Sequence, residues 1–101
     1  MVWGHYVGAF FAGAFLVNTV PHFVKGICGD KFPTPFSKPP GKGLSSAPVN
    51  TVWALFNLAA GILLWHVSKP CSSYGLTATF AVGFVAFALQ LSTHFQGKDR
   101  E

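Results

Sequence analysis

The sequence predicts an all-α membrane protein with three transmembrane helices and a long Pro/Phe-rich loop between helices one and two. Half of the 101 residues are hydrophobic and only 10% are charged, whereas about a quarter are charged in soluble domains. The charges leave three uncharged runs, 1–24, 43–68 and 70–97. Each run exceeds the roughly 20 apolar residues that cross a hydrocarbon core. Because these helices have no charge to present to water, their outer faces must meet lipid or another apolar protein.

Proline marks the ends of the predicted helices. All seven prolines lie at the ends of the uncharged runs or between them. Because proline removes a backbone donor, this placement lets each span satisfy its backbone groups internally, as lipid requires. No basic residue precedes Lys25, so the first run lacks the positive start of a cleaved signal peptide and is interpreted as a retained helix. We predict one transmembrane domain over 1–101, with helices at about 2–20, 48–68 and 75–95, a cytoplasmic loop at 21–47 and an outer turn at 69–74.

Basic residues are unevenly divided between the two sides of this domain. The loop and the C-terminal tail carry six, whereas the outer turn carries only Lys69. By the positive-inside rule, the loop and tail face the cytoplasm and the N-terminus lies outside. The net charge of +4 thus indicates topology, since nucleic-acid binding requires a dense basic patch. The four loop lysines are also candidates to bind anionic lipid headgroups. The six cytoplasmic basic residues are Lys25, Lys31, Lys38, Lys42, Lys98 and Arg100.

The two cysteines fall on opposite sides of the predicted membrane. Cys28 lies in the loop and Cys71 in the outer turn. A disulfide needs Cα atoms within about 7 Å of each other. The topology therefore predicts that these two thiols do not pair with each other.

Small residues at helical spacing predict where the helices pack. Helix one carries a small-xxx-small pattern, which fits close packing within the protein or between two copies. Helices two and three each carry a stripe of small and polar residues. Because the outer turn is short, we expect an antiparallel hairpin in which these two stripes face each other. The predicted packing residues are Gly4, Gly8 and Ala12 in helix one, Ala54 and Gly61 in helix two, and Gly83 and Ala86 in helix three.

Three pieces of the sequence carry a resemblance. They are Asn18-Thr-Val-Pro-His-Phe-Val-Lys-Gly26, Phe32-Pro-Thr-Pro-Phe36 and Leu44-Ser-Ser-Ala-Pro-Val-Asn50. Together they resemble a group of short uncharacterised bacterial inner-membrane proteins, over about residues 8–66. The resemblance implies three helices and a bacterial inner-membrane location, and it implies no activity.

Polar residues gather in the inner half of the predicted domain. Counting 1.5 Å per residue, Asn57 and Gln90 lie about 12 and 7 Å inside the cytoplasmic boundary. Asn18 lies nearer that boundary, and His22 and His94 lie below all three. One interpretation is a pocket, open to the cytoplasm, that binds a headgroup, a quinone or a substrate. The other, which we favour, is hydrogen bonding between helices, worth about 0.6 kcal/mol on average.

All four histidines lie near the ends of spans, His5 and His66 outside and His22 and His94 inside. Histidine is a common metal and haem ligand, with Cys28 and Asp30 as possible further ligands beside His22. The spacing matches no metal motif, however, so these histidines are only weak metal candidates. The sequence requires no cofactor.

Several classes of function are disfavoured because the sequence lacks the residues that those functions need. No acid or lysine lies within them, which argues against a proton-coupled transporter. No nucleophile motif or phosphate-binding loop indicates an enzyme. We therefore predict a small non-catalytic structural or accessory subunit of a homo-oligomer or a larger membrane complex. The alternatives are a redox or ligand-binding protein that uses the interfacial histidines for haem, a metal or a quinone, and an oligomeric channel or carrier.

Overall fold

The computed structural model describes residues 2–99, and this part of the chain is helical, without strands. The long helices are α1 (Val2–Ile27), α2 (Ala47–Ser68) and α3 (Tyr74–His94), with 3-10 turns at Pro70–Ser72 and Phe95–Gly97. Each long helix has the length and apolar composition needed to cross a membrane. The predicted all-helical architecture with three helices of spanning length is therefore confirmed. Arg100, which the orientation argument counts, lies outside the described residues.

Helix α1 continues seven residues beyond the predicted end at residue 20, and Pro21 lies inside it. Proline removes only one backbone donor, and membrane helices tolerate that loss when their neighbours hold the chain. Here the last turns are held against α2, because His22 hydrogen-bonds to Asn50 and Gly26 lies directly against Thr51. The connecting loop therefore covers residues 28–46 instead of 21–47.

Serine side chains begin the other two long helices. Ser46 Oγ accepts a hydrogen bond from the Val49 backbone N–H at 3.3 Å. Ser73 Oγ accepts one from the Leu76 backbone N–H at 3.1 Å. Each contact satisfies one of the free donors at a helix start. Helix α2 ends at Ser68, and the left-handed backbone of the next residue, Lys69 (φ 51°), turns the chain toward α3.

The central helix of the bundle is α1. Both α2 and α3 pack along it, and they make few contacts with each other. The expectation that the stripes of helices two and three face each other is therefore wrong, because the buried members of both stripes, such as Gly61 and Gly83, lie against α1. Small side chains on α1 explain this arrangement: Ala9 and Ala12 are fully buried, so both neighbouring backbones can approach closely.

The closest helix contacts involve glycine. A Cβ on Gly83 would overlap the backbone carbonyl of Phe10, and a Cβ on Gly13 would lie 2.6 Å from the Phe84 backbone nitrogen. On the other side of α1, a Cβ on Gly61 would lie 2.6 Å from Leu16 Cδ2. The predicted packing residues that lie at helix contacts or in the core are Gly8, Ala12, Ala54, Gly61 and Gly83. Two others, Gly4 and Ala86, are exposed.

The loop 28–46 folds into a compact structure over one end of the helices, which we call the cap. Phe32 and Ser45 exchange backbone hydrogen bonds of 3.2 and 3.0 Å. The Thr34 hydroxyl lies 2.6 Å from that of Ser45, and the Thr34 carbonyl accepts from the backbone N–H groups of Ser37 and Gly41. Thr34 is 1% exposed. The prolines thus do not leave the loop extended, because its polar groups bond to one another.

Candidate functional site

A buried hydrogen-bond network joins the cap to α1 and α2. The Asn50 amide nitrogen donates to the Phe32 carbonyl at 2.8 Å and, at 3.2 and 3.1 Å, to the carbonyls of Ser45 and Ser46. The Asn50 oxygen must therefore accept from His22 Nδ1, which lies 2.8 Å away. Both side chains are almost completely buried, at 2% exposure for His22 and 0% for Asn50.

Aromatic rings enclose His22. The rings of Phe32, Phe95 and Trp53 stand edge-on to the imidazole, with centroids 5.5, 6.1 and 6.4 Å away. Beside it lies a cavity of about 160 Å³ that is also lined by Thr34. These neighbours fix the orientation of the imidazole ring. The hydrogen bond from Nδ1 to Asn50 makes the ring part of the network that joins the cap to the helices.

The three sequence pieces that carry the resemblance converge on this network. The first contributes His22, the second Phe32 and Thr34, and the third Ser45 and Asn50. Residues scattered over about thirty positions of the sequence thus form a single buried cluster.

A groove of about 410 Å³ lies beside the cap, where α2 and α3 diverge on the surface of α1. We call it the α2–α3 groove. Four of the five residues that the sequence assigned to a polar pocket line it, and the fifth, His22, lies in the adjoining cavity. The groove is otherwise mostly apolar. Its lining residues are Phe11, Ala14, Phe15 and Asn18 from α1, Trp53 and Asn57 from α2, and Phe87, Gln90, Leu91 and His94 from α3.

Some polar groups of this groove are already paired. Asn18 donates to Asn57 Oδ1 at 3.0 Å, and Asn57 donates to the Trp53 carbonyl at 2.7 Å. His94 Nε2 donates to the Gly41 carbonyl of the cap at 2.8 Å. The Gln90 side chain forms no hydrogen bond with another described residue and is exposed. Hydrogen bonding between helices thus occurs in the same place as an open groove, so the two interpretations are not exclusive.

The remaining histidines are not gathered into a metal centre. At the end opposite the cap, His5 is half-buried and His66 is exposed. Beside the cap, Cys28 and Asp30 are exposed. Within residues 2–99, no three His, Cys, Asp or Glu side chains lie close enough together to hold a metal ion.

The four predicted headgroup lysines are exposed in or beside the cap, with Lys25 in the last turn of α1. Lys25 and Lys31 line a charged hollow of about 260 Å³, together with Lys98 and two acids, Asp30 and Asp99. The other two predicted headgroup lysines, Lys38 and Lys42, are exposed on the cap outside this hollow.

A second apolar concavity, of about 480 Å³, lies on the outer face of α2. We call it the aromatic depression. Trp53 stacks on Phe56 with centroids 5.6 Å apart, and Phe36 of the cap stands edge-on to Trp53 at 5.3 Å. Phe36 and Phe56 are 66% and 59% exposed. The lining residues are Phe36, Pro48, Val49, Val52, Trp53 and Phe56.

Sequence reasoning missed two residues that organise these sites. Asn50 was not among the predicted site residues, although it lies two turns from Asn57 on the same face of α2. Trp53 lies one turn from Asn57 and lines the groove, the depression and the cavity beside His22. Comparison of the chain with protein-family models, curated proteins and solved structures gives no match.

Proposed function

We propose that this chain is a non-catalytic accessory subunit that binds copies of itself or a larger complex within a membrane. The aromatic depression carries this proposal. It is concave, almost wholly apolar and rich in aromatic side chains, and aromatic residues are enriched where proteins contact one another. A transmembrane helix of another subunit would place its side chains there, between the cap and the outer face of α2.

The membrane we propose is a bacterial inner membrane, with the N-terminus outside and the cap in the cytoplasm. This proposal draws on the resemblance to the group of short bacterial proteins. It is also supported by the exposed lysines around the cap, because positive residues are retained on the cytoplasmic side. Those lysines would lie at the level of anionic lipid headgroups.

Photo-crosslinking in native membranes tests the subunit proposal. A benzophenone amino acid is introduced at Val52, inside the depression, or at Leu63, on the same face of α2 but outside it. The two positions are matched in exposure, at 67% and 62%, and lie about 16 Å apart along the helix. We expect a protein adduct from Val52 and little from Leu63.

The size of that adduct would distinguish a second copy from a larger partner. Equal protein yields from the two positions, or lipid adducts alone from both, would contradict the proposed subunit role.

A further inference from the structure

The α2–α3 groove has the properties of a ligand site within the membrane. Its volume of about 410 Å³ lies within the range of about 300–1,000 Å³ that is usual for small-molecule sites. Phe15 and Phe87 contribute aromatic surface, while Gln90 and Asn18 contribute polar groups. Such sites are typically apolar with a few polar groups that orient the ligand.

The groove is mostly apolar, and its polar side chains are three amides, one indole and one imidazole. None of its lining residues is Asp, Glu, Lys or Arg. Gln90 offers both an amide donor and an acceptor, and Asn18 retains its side-chain oxygen as an acceptor after donating to Asn57. Because burying an unpaired charge is costly, this lining matches a neutral polar group better than a phosphate or an ion.

The depth of the polar groups along the helices further limits the kind of ligand that fits the groove. Asn18 lies nine residues from the end of α1 and Gln90 four residues from the end of α3, or about 14 and 6 Å from the capped ends. A ligand that reaches both must therefore carry its polar group below the headgroup region and be apolar elsewhere. The few contacts between α2 and α3 leave the groove open toward the lipid.

We propose that the α2–α3 groove binds a prenylated quinone or its quinol. Such a molecule has a flat, uncharged ring, two oxygens that form hydrogen bonds, and an apolar tail. The ring would pack against the edges of Phe15 and Phe87, one oxygen would bond to Gln90, and the tail would extend past Phe11 toward the bilayer centre. This proposal concerns binding only and is independent of the accessory role.

Fluorescence quenching with decylubiquinone tests the proposal. Trp3 and Trp65 are replaced by Phe, so that Trp53, which lines the groove, is the only tryptophan emitter. The full chain is purified in a mild detergent and titrated. We expect saturable quenching with one quinone per chain.

Variants on α3 separate specific binding from partition into the micelle. Gln90→Leu should weaken binding about tenfold through the loss of one hydrogen bond. Folding should be retained, because the exposed Gln90 side chain bonds to no other described residue. The matched control is Thr93→Val, because Thr93 is exposed on the same helix and lies outside the groove, and its hydroxyl donates to the Leu89 carbonyl of its own helix. It should leave the affinity unchanged.

Two outcomes would overturn the proposal. One is unsaturable quenching that is equal in all variants, which would mean that the quinone only partitions into the micelle. The other is displacement of the quinone by decylbenzene at equal concentration, which would assign the groove to a hydrocarbon chain. The decylbenzene competition uses the Trp53-only protein with no change to the groove, so it decides the question even if a groove variant fails to fold.

Discussion

Replacing Asn50 of α2 by alanine should destabilise the protein more than any single truncation within the cap. The Asn50 amide group has two hydrogens, but three carbonyls lie within hydrogen-bond distance of its nitrogen. One hydrogen therefore bonds to the Phe32 carbonyl at 2.8 Å, and the carbonyls of Ser45 and Ser46 share the second hydrogen. When the Asn50 side chain is removed, the Phe32 carbonyl still accepts from the Ser45 backbone N–H, and the Ser45 carbonyl still accepts from the Phe32 backbone N–H. Only the N–H of His22 Nδ1 then loses its partner while it remains buried.

The magnitude follows from these contacts. Two donated hydrogen bonds contribute about 1 kcal/mol each, and a buried donor left unpaired costs a further 1–3 kcal/mol. We therefore expect Asn50→Ala to lower the free energy of unfolding by roughly 3–5 kcal/mol. Leu55→Ala is the control, because Leu55 is on the same helix and 49% exposed, and it should cost well below that amount.

The assay is unfolding by titration with sodium dodecyl sulfate in mild-detergent micelles, followed by tryptophan fluorescence. A loss for Asn50→Ala that is no larger than for Leu55→Ala would refute the reasoning. A double-mutant cycle with His22→Ala then isolates the bond between the two side chains. Residues in direct contact couple by about 0.5–3 kcal/mol, so strictly additive effects would show that His22 and Asn50 do not support each other.

Two further predictions concern helix packing and topology. Gly83→Val should cost about 1–3 kcal/mol because its side chain would overlap the Phe10 carbonyl. Ala86→Val, on the exposed side of the same helix, should change stability by less than about 0.5 kcal/mol, and equal effects in the same unfolding assay would argue against the α1–α3 contact. In spheroplasts, a membrane-impermeant maleimide should label the exposed Cys71 directly. The exposed Cys28 should be labelled only after permeabilisation, and the reverse pattern would invert the proposed orientation.

The helices were predictable from the sequence because charge and proline act locally. An uncharged run is long enough to span a membrane whatever it packs against, so α2 and α3 lie within about a residue of their predicted bounds. The placement of Asn18, Asn57 and Gln90 toward the same end of the helices as the loop was equally predictable, because it depends only on the count of residues from a helix end.

The choice of packing partners was not predictable in the same way. Gly13 forms one of the closest contacts with α3, yet in the sequence it is one small residue among several in helix one. Similarly, Pro21 looked like a helix end, because the contacts that hold the following turns come from α2. Both features depend on residues far away in the chain, and local rules do not include them.

The cap also has a consequence for the order in which the protein is assembled during synthesis. Its buried network uses only residues of α1, the loop and the first turns of α2. A nascent chain therefore contains every member of this network before α3 has left the ribosome. Helix α3 and the residues that follow it add the late contacts, from His94 to Gly41 and from Asp99 to Lys42. The α2–α3 groove consequently acquires its second wall last, and any molecule that occupies it must arrive with α3 or after it.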